Sequence, residues 1–129
     1  MRVLAVDHGT ARCGCAISDP SGTLARPLPV IEPCEPREVA ELVAEHGVEL
    51  VVVGLPVTLE GREGPQAAVT RAFADDVAEL VDVPVKTHDE RFTTTMAEAS
   101  ARSGADAAED SLAAAHLLES FLASERKEP

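Results

Sequence analysis

The stretch Val3–Asp19, VLAVDHGTARCGCAISD, decides how the rest of the chain is read. Met1–Asp7 and Arg12–Ser18 are apolar runs without helical period, the pattern of strands buried on both faces. A Gly-Thr turn joins them, so the two runs read as an antiparallel hairpin. Asp7 closes the first run, and an acid there has three readings. It can make an Asx-type turn before Gly9, it can belong to the Asp-x-Gly-Thr phosphate turn of an ATPase, or it can be the first metal ligand of a nuclease.

Outward from the hairpin, Asp19-Pro-Ser-Gly turns the chain into a third run, Thr23–Ile31, whose Pro27 and Pro29 suit an edge strand. Pro36 opens a helix with Val39, Leu42, Val43 and His46 at helical spacing, and Gly47 stops it. Glu49–Gly54 is a short, β-branched strand. The connection Leu55–Gly64 is long for a strand-to-helix link, and long loops in small domains often carry function. From Pro65 the spacing predicts a helix with Val69, Ala72, Phe73, Val77 and Leu80 on its buried stripe. Val83–Thr87 reads as a fifth strand. Thr95-x-x-Glu98 and Asp106-x-x-Glu109 are capping boxes, one for a short helix and one for the last helix.

Tight turns make the first three strands antiparallel, and right-handed helical crossovers make the fourth and fifth parallel to the first. The predicted class is therefore α/β: a ribonuclease H-like, mixed five-stranded sheet flanked by helices. A single domain is expected over residues 1–124, with a loose tail at 125–129.

Composition narrows the functions. Twenty-three acidic residues against eleven basic ones give a net charge of −12, a field that repels polyanions at long range. Nucleic-acid binding would need a local basic patch, metal ions, or both. Trp and Tyr are absent and Phe occurs three times, so base stacking on aromatic rings has little to work with. No apolar run approaches the roughly 20 residues of a membrane span, and the N-terminus lacks a signal pattern; no membrane association and a cytoplasmic location are expected. The cysteines, Cys13, Cys15 and Cys34, are odd in number and form no Cys-x-x-Cys pair. Neither a disulfide framework nor a zinc knuckle is predicted, and Cys13 and Cys15 are expected to pack as small buried hydrophobes.

The carboxyl ends of parallel strands are where ligands gather in such sheets. Asp7-His-Gly-Thr, Gly54-Leu-Pro and His88-Asp-Glu-Arg all fall at that edge. An acid beside Arg91 can equally be a surface ion pair. If Asp106 caps the last helix, Asp110 lies one turn inside it, on the stripe of Ala114, Leu117 and Phe121. A carboxylate on that face needs a positive partner; the alternative is that Asp110 is itself the N-cap. Acids converging from two strand ends and a helix repel one another and suit hard divalent cations, Mg²⁺ or Mn²⁺. Two such ions about 4 Å apart would serve phosphodiester hydrolysis. His8 and His88 each flank an acid but lack a helical His partner, so zinc is not expected.

Four segments, LAVDHGTARCGCAISD, VVVGLPVTLEGREG, HDERFTTTMAEA and EDSLAAAHLLESFL, in this order and spacing resemble the YqgF/RuvX family. That family comprises pre-16S rRNA nucleases, also described as Holliday-junction resolvase homologues. The resemblance implies that Asp7, Glu90 and Asp110 are the catalytic, metal-binding acids. It implies that Gly54, Leu55 and Pro56 shape the floor of the site, and that Thr10, Arg12, Arg91 and Thr94 contact phosphate or hold the acids. Arginine forks suit phosphate oxygens, although Arg12 can instead pair with a nearby acid. Glu60 stands where an Asp is common, the segment from Ser103 to Asp110 is short and acidic, and Gly54 rather than an acid closes the fourth strand. The implied function is a metal-dependent endonuclease acting on structured RNA, pre-16S rRNA or a ribosomal precursor particle. The alternatives are a Holliday-junction resolvase on branched DNA, which would favour a homodimer over a monomer, and a non-catalytic RNA- or ribosome-binding factor. An actin-like ATPase needs a duplicated domain to close over the nucleotide, whereas a single copy is expected in this chain.

Overall fold

The structure, a computed structural model, describes residues 1–9, 11–58, 60–90 and 107–126. Five strands form one sheet: β1 (Val3–His8), β2 (Cys13–Ser18), β3 (Ala25–Ile31), β4 (Leu50–Leu55) and β5 (Val85–Asp89). The helices are α1 (Pro36–His46), α2 (Pro65–Leu80) and α3 (Ala107–Arg126). Sheet order is β3-β2-β1-β4-β5, with β1–β2 and β2–β3 antiparallel and β1–β4 and β4–β5 parallel. This is the mixed sheet that turn lengths and crossovers predict. The proline-bearing β3 is an edge, where a missing amide donor costs no ladder bond on its outer side.

Every residue of β2 and β4 is buried, which is what their uninterrupted apolar runs require of inner strands. Alternate side chains feed two separate cores. Leu4, Val6, Ile17, Val51 and Val53 pack with Val39, Val43, Phe73 and Val77 of α1 and α2. Val3, Ala5, Ala16, Leu50 and Val52 pack with Ala114, Leu117, Leu118 and Phe121 of α3. Each large side chain so buried is worth about 1.5–3 kcal/mol.

Local chemistry sets the ends of these elements. Pro36 and Pro65 open α1 and α2, and Gly47 ends α1 with φ of 64°. Asp19 closes the β2–β3 turn: its carboxylate accepts the amides of Thr23 (2.7 Å) and Leu24 (3.0 Å) and the hydroxyl of Ser21 (2.6 Å). Those donors, the Ser21 hydroxyl foremost, pull its pKa down to about 2.

The boundaries and the buried stripe of α2 differ from expectation in places. β3 begins at Ala25 and β5 runs from Val85 to Asp89, two residues later than predicted in each case. The buried face of α2 is Ala67, Thr70, Phe73, Ala74 and Val77, whereas Val69, Ala72 and Leu80 are exposed. α2 carries two overlapping apolar stripes, and small residues (Ala67, Thr70, Ala74) let the helix lie closer to the sheet. The cysteine expectation is also corrected: Cys13 and Cys34, with Cα atoms 5.2 Å apart, form a disulfide, while buried Cys15 stays free. Hairpin folding of β2 onto β3, with Cys13 level with Ile31, brings together two cysteines that are 21 residues apart. α3 continues through Arg126, into the segment expected as a tail. The helix expected from the Thr95-x-x-Glu98 box lies outside the described residues.

Candidate functional site

On the sheet face beneath α3, the row at the carboxyl end of β1 reads Gly14, Asp7, Gly54. Asp7 pairs with Gly14 of β2, and Val6 stands level with Val53, which places Asp7 beside Gly54 of β4. Asp7 is thus an acid between two residues without side chains.

Glu90 enters from β5. Its side chain lies over Gly54: a Cβ added there would meet the Glu90 carboxylate oxygen and sit 2.9 Å from both Cγ and Cδ. Glycine at this position leaves the groove along which Glu90 reaches Asp7, to which it is hydrogen-bonded. Burial, then the Asp7 hydrogen bond and charge, then Asp89, push the Glu90 carboxyl up to about 9. Glu90 therefore holds a proton against Asp7 at neutral pH.

Asp110 comes from above. The chain is helical from Ala107 onward among the described residues, so Asp110 lies within α3 rather than capping it, with Ala114, Leu117 and Phe121 buried on its stripe. Its carboxylate accepts a hydrogen bond from Nε of Arg12, and Nη1 of Arg12 is 3.9 Å from Glu32. Arg12 is placed to do this by the tight β1–β2 turn, closed by the Gly9 amide donating to the Arg12 carbonyl (3.1 Å). A cleft of about 450 Å³ opens between Asp7, Gly9, Ala11, Arg12 and Asp110. Glu90 borders a second cleft, of about 350 Å³, with Pro56, Thr58, Arg62 and Gln66. Leu55 is buried, and strand alternation turns it to the opposite face from Gly54. Thr10, Arg91 and Thr94 lie outside the described residues.

His8 points to the opposite face of the sheet from Asp7, whereas His88, level with Gly54 in the parallel register, lies on the same face and turns up to α3. His8 stacks on Phe73 (centroids 4.3 Å) with Nδ1 3.3 Å from the Thr70 hydroxyl. His88 sits edge-on to Phe121, its Nε2 3.1 Å from the Ser120 hydroxyl. Burial lowers both imidazoles' pKa, against the pull of neighbouring acids. Among the described residues, no three His, Cys, Asp or Glu side chains stand together as a ready metal cage. Asp7 and Glu90 share one point, and Asp110 is held across the cleft by Arg12.

Gly14 has no counterpart among the residues expected to form the site, although it sits in the Arg12-x-Gly pattern. A glycine within a buried strand marks close approach of another backbone, and that was the available signal.

Comparison with known proteins agrees with this architecture. A protein of Thermus thermophilus, RuvC in complex with a Holliday junction substrate, superposes with TM-score 0.63 over 98% of this chain and 96% of its own, at 16% identity. The fowlpox virus resolvase bound to Holliday junction DNA gives 0.56 over 98% and 100%, at 14% identity. At these identities the likeness is one of fold. In sequence, a Chloroflexus aggregans protein named "Putative pre-16S rRNA nuclease" is 42% identical over 96% of this chain and 94% of its own. A Streptomyces coelicolor protein of the same name is 43% identical over 97% and 81%. Residues 1–124 match the family model described as "RuvX: Holliday junction resolvase". With that match over nearly its whole length, and relatives above 40% identity, the chain belongs to the RuvX family of resolvase-like nucleases.

Proposed function

We propose that the protein is a metal-dependent endonuclease that hydrolyses phosphodiester bonds in structured RNA during maturation of the 16S rRNA 5′ end. The observation that carries this reading is the pairing of Asp7 and Glu90 at the carboxyl end of the parallel strands, with Asp110 across the same cleft. Two carboxyls that must share a proton form a site where a cation can take the proton's place, and an oxygen-only donor set suits Mg²⁺ or Mn²⁺. Asp7 and Glu90 would hold the ion, with Asp110 as the third acid. Bound there, it would supply Lewis acidity toward a phosphate oxygen and lower the pKa of a water.

The chain's own groups do the rest. Burial of Glu90 and its seat over Gly54 fix the direction from which the acids meet. Arg12 neutralises Asp110 and presents its guanidinium at the rim of the cleft, where a phosphate oxygen can compete for it. This local positive group offsets, at short range, the repulsion expected from a net charge of −12. RNA is favoured over branched DNA because relatives above 40% identity bear the rRNA nuclease name, while the junction-bound proteins share only the fold.

A structured rRNA precursor and a four-way DNA junction, each incubated with Mg²⁺ or Mn²⁺, test the reading. RNA cleavage is expected, lost by at least about 100-fold in Asp7→Asn and Glu90→Gln with the fold intact. Cleavage of the junction alone would make the protein a resolvase. Cleavage of neither, with both variants still binding RNA, would leave a non-catalytic binding factor.

A further inference from the structure

Gly14 stands in the middle of β2, where the β2–β3 register shifts between Cys13 and Cys15, and its φ is not positive; the glycines with positive φ among the described residues are Gly22, Gly47 and Gly61. A left-handed backbone therefore does not explain the glycine, and glycine weakens a strand interior. The space above it supplies the reason. A Cβ on Gly14 would overlap the carbonyl oxygen and carbon of Asp110 and lie 3.1 Å from the Ser111 amide nitrogen. All three are backbone atoms of α3, which cannot swing aside as a side chain can. The turn of α3 that carries Asp110 and Ser111 thus rests directly on β2.

The same turn is held from its other side. The buried Ser111 hydroxyl donates to the carbonyl of Leu28 on β3. Gly14 and Leu28 together set the height of this turn above the sheet. The strand partner of Gly14 is Asp7. The residue carrying Asp110 is therefore seated on the neighbour of Asp7, and the depth of that seat sets how far Asp110 stands from Asp7 across the cleft.

We infer that Gly14 is a positioning residue: its missing side chain lets α3 approach closely enough for Asp110 to act together with Asp7. The inference rests on the reading of Asp110 as a member of the site. It specifies how the third acid, which the sequence places 103 positions from the first, is brought to working distance.

The test compares Gly14→Ala with Gly14→Ala/Asp110→Glu, Asp110→Asn and Val77→Ala. Val77 is a buried residue of α2, in the core on the other face of the sheet from the acids, and serves as a control of lowered thermal stability. Two readouts are used: Mn²⁺ binding by the protein alone, followed by calorimetry, and RNA cleavage across a Mn²⁺ titration. Gly14→Ala lifts the turn, so Mn²⁺ affinity should fall by about 10-fold or more, with half-activation moved to higher Mn²⁺. Adding Asp110→Glu lengthens the acid by one methylene and should recover part of both losses. Val77→Ala, assayed well below its melting temperature, should change neither.

Unchanged Mn²⁺ binding in Gly14→Ala, equal losses in Val77→Ala, or no recovery with Asp110→Glu would each overturn the inference. If Asp110→Asn itself binds Mn²⁺ and cleaves like the wild type, it is instead the role of Asp110 that fails. Should Gly14→Ala not fold, the Ser111 pair decides. Ser111→Ala, which loosens the same turn without adding an atom, should weaken Mn²⁺ binding, and Ser111→Thr, which keeps the hydroxyl, should not. Equal behaviour of the two Ser111 variants would overturn the inference.

Discussion

Glu90 reaches Asp7 only by crossing Gly54, whose missing side chain is the groove in which its Cγ and Cδ lie. The acid absent from the end of β4 is thus not simply missing. Its place is occupied by the side chain of the next strand, and a glycine is what that arrangement requires.

Gly54→Ala should therefore act on the site more than on the fold. Its Cβ would stand 2.9 Å from Cγ and Cδ of Glu90, a side chain able to swing out. A stability loss of about 1–3 kcal/mol is expected from overpacking, with cleavage down by about 100-fold. Urea unfolding beside a cleavage assay checks this. Full activity in Gly54→Ala would show that Glu90 need not lie over β4.

The proton held by Glu90 should be visible in stability. Its carboxyl titrates at about 9 in the folded protein against an ordinary 4.5. Between these values the native state keeps a proton that the unfolded chain releases, so this group's contribution is complete below about 4.5 and is lost as pH rises toward 9. His8 and His88, whose pKa values are lowered, contribute with the opposite slope below about 6.5. The difference between wild type and Glu90→Gln removes their share. In chelator, Glu90→Gln should gain on the wild type as pH goes from 5 to 8, measured by thermal melting. A constant difference would mean that Glu90 is not protonated against Asp7.

The Arg12–Asp110 pair should matter more for the site than for stability. Both side chains are about one-third exposed (31% and 32%), so solvent screens the interaction. A double-mutant cycle with Arg12→Ala and Asp110→Ala should give a coupling of about 1 kcal/mol or less. Arg12→Lys, which keeps the charge but not the fork, should weaken RNA binding and preserve the melting temperature. A coupling of several kcal/mol would instead mark the pair as a mainstay of the fold.

The cysteines offer a direct chemical check. With Cys13 and Cys34 joined, alkylation after denaturation should label Cys15 alone, and reduction first should give three labels by mass spectrometry. Burial pushes the Cys15 thiol up to about 12, so it should resist alkylation in the native protein. Closing this loop is worth about 3 kcal/mol in the chain-entropy picture, so reductant should lower the melting temperature. Three labels without reductant would show the two thiols unpaired.

Much of this protein is legible in its sequence because the relevant signals are local. The unbroken apolar runs of β1, β2 and β4, the prolines of β3, Pro36 with Gly47, and the Asp106-x-x-Glu109 box state what each segment is within a few residues. They also place Asp7 and Glu90 at strand ends and Asp110 one turn inside the last helix. Those properties depend on neighbours in the chain, through dihedral preference and periodicity.

What only the tertiary structure decided is which distant groups meet. Val69 and Leu80 of α2 face outward because the sheet selects one of two overlapping stripes, and it admits the one with small residues. Arg12 takes Asp110, Cys13 takes Cys34, and Glu90 lies across Gly54, each pair joined by strand register or by a helix seated on the sheet. Gly14 shows the reason most plainly. Its own neighbours give no cause for a glycine, and the cause is a helix backbone that the close packing of two layers brings from almost a hundred residues away.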